Sequence, residues 1–231
     1  ISEGGPPSSG YIYRFVPDHP GDLSTGQLFA LKIVNPNADR TGEAIWIPLD
    51  RTAVQADADA EAKSEGATNY NRPEDVETAT SGGNNGGGGN ILYVAVTGED
   101  RVLGIDLRET AGGSQHSSAF VYDYVREGLN APTDFDLPDN LALDRNGNLF
   151  ITEDPATAPT THLGDDIWTA PASGGGQHQA APSIVRFASL TDCNAEPTGI
   201  YFDVHEWALY VDAQHRGGDG NDLAVKIEPA E

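Results

Sequence analysis

With 231 residues, 38% of them hydrophobic, the chain can bury a substantial core, as one large β domain or two small ones. Its 36 acidic residues against 13 basic give a net charge of -23, a field that repels nucleic acid and anionic membranes and argues against both as partners. The single cysteine, Cys193, excludes an internal disulfide, and no run of about 18 apolar residues is present to span a membrane.

Residues 1–10 are rich in Gly, Pro and Ser and read as irregular. No methionine occurs anywhere, which points to a processed or cut chain. Alternation over residues 11–16 predicts a strand, residues 18–26 a turn, and residues 27–34 and 43–49 two further strands. Residues 52–65 carry Ala, Glu, Asp and Lys without Gly or Pro, so they predict the one helix, with Gly66 placed to end it. Then comes the run Asn71, Arg72, Pro73, Glu74, Asp75, Val76, Glu77, which joins an arginine and three carboxylates to a rigid proline. Residues 81–89 are low-complexity Gly and Asn and read as a surface loop; the Lys-Ser/Thr pair of a phosphate-cradling loop is missing.

Strands follow at 90–96 and 101–107 across a turn at 97–100, and again at 118–124. Residues 140–144 and 148–152 form a hairpin around Asn146-Gly147, a strong turn signal. Further strands are predicted at 166–170, 183–187, 198–202, 208–212 and 223–227. Pro73, Pro138 and Pro197 each open the same series of polar corner, strand, turn, strand and third strand, at spacings of 65 and 59 residues. A propeller blade is four strands in about 40–50 residues plus loops. The fold class is therefore all-β, a β-propeller of three to four blades. It is a single domain over residues 1–231, or the C-terminal part of a larger ring.

In a propeller the starts of the inner strands meet at one mouth of the central channel. Arg72, Glu74, Asp75, Glu77, Asp139, Asn140, Glu196 and Thr198 lie at or near those starts. Thr152-Glu153-Asp154 and Asp212-Ala213-Gln214-His215 close the second strands and point either to the same mouth or to solvent. Carboxylates packed together stay ionised only with cations between them, and their oxygens suit hard cations such as calcium. Taken singly, each of these residues also reads as a solvated loop side chain. A single nonapeptide-like calcium repeat at 217–223 lacks the stacked neighbours such repeats need. His116, His162, His178 and His205 fall in loops or turns and read as solvent-exposed. No Gly-x-Ser-x-Gly elbow accompanies the Ser, His and Asp residues.

In this order, Gly66-Ala67-Thr68, Arg72-Pro73-Glu74, Pro138-Asp139-Asn140-Leu141-Ala142, Gly147-Asn148-Leu149, Glu153-Asp154, Glu196-Pro197-Thr198-Gly199 and Gln214-His215 resemble the PhoX-type alkaline phosphatases. The resemblance covers roughly residues 10–216. It implies a six-bladed propeller exported to the periplasm or the extracellular space, with calcium, and iron in the better-known members, hydrolysing phosphate monoesters. Carried over, it implies Arg72 as the catalytic contact to substrate phosphate, Glu74, Asp139, Glu153 and Glu196 as metal ligands, and His215 at a substrate-binding position. The family's enzymes are longer, and the cysteine that helps hold their iron lies in an N-terminal half without a counterpart here. Another chain supplying the remaining blades is thus an expected partner, beside a small phosphate ester and metal ions. The rival readings are a non-catalytic, calcium-stabilised propeller used for binding or structure, and a propeller lactonase or esterase.

Overall fold

The computed structural model describes residues 10–79, 90–107, 118–154, 165–171, 178–192, 195–203, 208–215 and 222–228. Among them are four antiparallel sheets and one α-helix. The largest sheet holds β2 (Tyr13–His19), β3 (Asp22–Ile33), β4 (Gly42–Pro48), β6 (Pro73–Ala79), β7 (Asn90–Val96), β8 (Arg101–Leu107) and β9 (Ser118–Arg126), in the order β2-β3-β4-β9-β8-β7-β6. The second runs β10 (Pro138–Leu143), β11 (Leu149–Glu153), β12 (Asp166–Ala170) and β13 (Val185–Ser189) as a four-stranded meander. The third is β14 (Glu196–Phe202), β15 (Leu209–Gln214) and β16 (Leu223–Ile227). A two-stranded pair joins β1 (Gly10–Tyr11) to β5 (Asn69–Tyr70).

The three repeats read from the sequence are therefore three meanders, β6-β7-β8-β9, β10-β11-β12-β13 and β14-β15-β16. Successive side chains of a strand face opposite ways, and this stacks the sheets on each other. In β7, Tyr93 and Ala95 enter the core shared with Leu149, Ile151 and Trp168 of the second meander. Leu92, Val94 and Val96 enter a core with Leu31, Trp46 and Ile105 on the other side. In β11, Phe150 turns the opposite way from Leu149 and Ile151 and packs with Ile200, Leu209 and Val211 of the third. Such two-sided burial explains why the central strands read as near-continuous apolar runs.

Several details depart from the sequence reading. The turn expected over 18–26 is mostly strand, because β2 and β3 extend through Pro17↔Gly26 to His19↔Asp22. This extension is largely exposed and carries Pro and Gly, so it lacks the alternation that marks a half-buried strand. The strand expected at 183–187 lies two residues later. The pairing of β4 with β9, through Gly42↔Val121 to Ile45↔Ser118, fuses the leading strands to the first meander. Edge pairing between distant segments leaves no local sequence signal. Helix α1 (Ala53–Ser64) is broken at Asp57 (φ -161°), whose carboxylate accepts the Ala60 N–H and starts the second half afresh. Gly66, at φ +73°, ends the helix as expected. His178 is not exposed: its ring stacks on Phe120 at 4.0 Å and its Nε2 lies 2.7 Å from Asp106. Residues 81–89, Cys193, His116, His162 and His205, and most of the nonapeptide-like segment lie outside the described residues.

Candidate metal and phosphate site

The three proline corners share one construction. Each opens its inner strand with a register shift, between Pro73 and Val76, between Pro138 and Leu141, and between Thr198 and Tyr201. A bulge of this kind re-aims side chains at a strand end. The residues before the first two prolines, Arg72 (φ 53°) and Leu137 (φ 42°), both adopt the left-handed conformation that disfavours L side chains. The same backbone bond holds each of them from the next strand: Thr97 N–H donates to Arg72 O at 2.9 Å, and Asp154 N–H to Leu137 O at 2.8 Å. Adjacent corners are tied by side chains. Asp75 accepts the Leu141 N–H, and Asn140 accepts the Gly199 N–H and the Thr198 hydroxyl.

This geometry brings three carboxylates together. Glu74, Asp139 and Asp154 each present an oxygen within 4.8 Å of the others, with Asp139 buried and the other two half-buried. Arg72 crosses the group, with its Nη2 at 2.7 Å from Glu74 and 2.5 Å from Asp154 while its side chain stays 40% exposed. Thr97, fully buried, places its hydroxyl 2.9 Å from Glu74 Oε2 and 2.8 Å from the Pro138 carbonyl. Burial, a hydrogen bond with Glu74 and the charges of Asp154, Glu74 and Glu196 push the Asp139 carboxyl up to about 8. Burial opposes the charge on Arg72, but its bonds to Asp154 and Glu74 overcome this and raise its pKa. The set is thus three acidic oxygens, with the protonated form of Asp139 favoured by burial and by its acidic neighbours, beneath an exposed guanidinium. An all-oxygen set of this kind fits a hard divalent cation.

The remaining expected residues separate into two groups. Glu196 is buried, bonded to Gln214 Nε2 at 2.5 Å and 3.7 Å from His215 Nε2. Its pKa is raised by burial and, against the pull of Gln214, by Asp154, while His215 lowers it. It borders the acidic group without joining it. His215 is left-handed (φ 62°) with its side chain 64% exposed at this border.

Glu153 lies elsewhere. It is 3% exposed, and its carboxylate accepts the Asp136 N–H, the Asp166 N–H and the Trp168 indole N–H. Burial pushes it up to about 9 against the donors from Asp136 and Trp168. Pro138 pairs with Glu153, as Pro73 does with Val96 and Pro197 with Ala213, and both of those counterparts are buried apolar residues. The residue one step on, Thr97, Asp154 or Gln214, is the one that reaches its corner's acidic side chain or the carboxylate group. The sequence signal for Asp154 is therefore its position one step beyond the residue paired with the corner proline.

A family model described as "Alkaline phosphatase PhoX" matches residues 4–217. Among solved structures, the chain is similar to Pseudomonas fluorescens PhoX in complex with vanadate, a transition state analogue, at a TM-score of 0.67 and 20% identity. That match covers 92% of this chain and 45% of the other, so the chain spans less than half the length of the structure it resembles. No curated protein matches the chain.

Proposed function

The chain belongs to the alkaline phosphatase PhoX family, and from that premise we propose that it is a metal-dependent phosphatase acting on phosphate monoesters. The observation that carries this reading is the convergence of Glu74, Asp139 and Asp154 beneath the exposed guanidinium of Arg72. Glu74, Asp139 and Asp154 would hold the cation, with Glu196 and His215 at the border. Calcium suits their oxygen donors. Iron has less support, since no thiolate or imidazole belongs to the group. A cation held there supplies the positive charge that neutralises phosphoryl oxygens and acidifies a water.

The chain's own residues do the rest. Among the described residues, Arg72 is the cation bonded to this cluster that also faces solvent, so it would meet the incoming phosphate and stabilise charge as the ester bond breaks. Its pairing with Glu74 and Asp154 keeps the guanidinium at the acidic group rather than free to sample solvent. Asp139 carries a proton until a cation displaces it. The net charge of -23 would repel phosphate, so this local cation and the metal have to reverse the field. The three meanders and the leading strands read as blades of a propeller whose ring takes further blades to close. Export to a calcium-rich compartment, periplasmic or extracellular, belongs to the same reading.

The test is release of p-nitrophenol from p-nitrophenyl phosphate, with calcium and after chelation, in the intact protein and in Arg72→Ala. Loss of turnover in the chelated protein and a marked but measurable fall in kcat/KM in the variant support the proposal. Retention of calcium by a protein without phosphatase activity supports the non-catalytic, calcium-stabilised propeller instead.

A further inference from the structure

One short turn stands behind both corners that carry the acidic group. Residues Thr97–Glu99 form a single 3-10 turn between β7 and β8, closed by Asp100 in the left-handed conformation (φ 48°). Toward the first corner, Glu99 Oε1 accepts the Asn71 N–H at 2.6 Å, and Asn71 Nδ2 donates to Gly98 O at 2.8 Å. Gly98 N–H returns a bond to Asn71 O at 3.2 Å, next to the Thr97-to-Arg72 bond. The fit is close, since a Cβ at Gly98 would lie 2.4 Å from the Asn71 amide carbon. Toward the second corner, Asp100 Oδ1 accepts the Leu137 N–H at 2.9 Å, one residue before Pro138-Asp139.

The turn is itself anchored. Glu99 Oε2 is held by Arg40 at 2.6 Å and by Arg101, whose guanidinium is only 2% exposed. Arg101 is in turn fixed by the Asp39 carbonyl and the Asp123 carboxylate, both at 2.8 Å, and it faces the buried Tyr70 ring. A buried arginine tied to two carboxylates is costly to disturb, so the turn has one preferred position.

We propose that this turn is the positioning device of the site, with Thr97 and Glu99 holding the backbone of Arg72 and its neighbour Asn71, and Asp100 holding that of Leu137, two residues before Asp139. The inference rests on the phosphatase reading for Arg72 and on the cation reading for Asp139. It predicts two separable effects. Outer residues that orient a ligand typically change affinity or activity by ~10–100-fold. In Glu99→Gln the amide oxygen can face either the Asn71 N–H or the two arginines, not both, so either the bond to Asn71 beside Arg72 or the anchor of the turn is lost. In Asp100→Ala the Leu137 N–H loses its acceptor, whereas Asp100→Asn keeps an acceptor and tolerates the left-handed backbone.

The experiment uses the intact protein with calcium. KM and kcat are measured on p-nitrophenyl phosphate, and calcium affinity by calorimetric titration of chelated protein. Glu99→Gln is expected to raise KM about tenfold with calcium affinity unchanged, and to add nothing in an Arg72→Ala background. Asp100→Ala is expected to weaken calcium about tenfold, with Asp100→Asn restoring it. Should Glu99→Gln not fold, Gly98→Ala tests the same link to Asn71.

The inference is overturned if Glu99→Gln changes KM equally with and without Arg72, or if Asp100→Ala binds calcium as the parent does. If Arg72→Ala itself leaves KM unchanged, the phosphate role of Arg72 fails. The calcium arm then still decides the role of Asp100.

Discussion

Glu153 and Asp154 are neighbours in sequence with opposite assignments, and substituting each separates them. In Glu153→Gln the side chain keeps its shape but loses one acceptor. Oε1 receives the Asp136 N–H at 3.0 Å and the Trp168 indole N–H at 2.6 Å, so the amide oxygen stays there. The new NH2 then faces the Asp166 N–H, which reached Oε2 at 3.1 Å. A buried donor left without an acceptor costs about 1–3 kcal/mol, which lowers Tm by roughly 2–12 °C for a chain of this size. The pH dependence adds a second signature. Glu153 is raised in the fold to about 9, so between the ordinary glutamate range and that value the folded state holds a proton that the unfolded state releases. This contribution to stability is fully present below the unfolded pKa and is lost as pH rises through the folded one. Glutamine does not titrate, so the gap between parent and variant narrows as pH rises. Differential scanning calorimetry from pH 5 to 9, paired with calcium titration, reads both effects. Asp154→Asn removes one of three acidic donors and the Arg72 partner, and calcium affinity falls at least about tenfold. A Glu153→Gln protein that keeps its Tm but loses its calcium would refute this division of labour.

Calcium affinity of the parent is expected to climb with pH toward about 8 and then level off, because the cation has to displace the proton held on Asp139. Proton release measured in two buffers of different ionisation enthalpy checks this. Arg101→Met leaves Glu99 with Arg40 alone and Asp123 with Arg126 alone and removes the buried donors between them, which is expected to cost ~1–3 kcal/mol, read as a fall in denaturation midpoint. Gly104→Ala places a Cβ 2.3 Å from Tyr122 Cζ, deep in the first meander, and overpacking there is expected to cost ~1–3 kcal/mol by the same measurement.

The corners were legible because proline, a polar cluster and a following apolar strand recur three times, and each recurrence proves to be a bulged strand start. That repeat nominates Arg72, Glu74 and Asp139, which the fold brings together with Asp154. The resemblance names Glu153, whereas the acidic group holds its neighbour Asp154; the period of a strand is two, so these adjacent side chains face opposite ways. A carboxylate in the core is rare, and here Glu153 satisfies two backbone N–H groups and an indole. The turn at 97–100 was read as a plain connection because its task is set by long-range bonds, to Asn71 on one side and Leu137 on the other. Nothing within the four residues records those bonds. Much of what the sequence concealed is of one kind: contacts between segments distant in the chain, namely the β4–β9 pairing, the Arg40–Glu99 anchor and the Asp100–Leu137 bond. The acidic group depends on such contacts for its spacing. Local pattern could therefore nominate its members, but only the packing of one meander against the next brings them within reach of one cation.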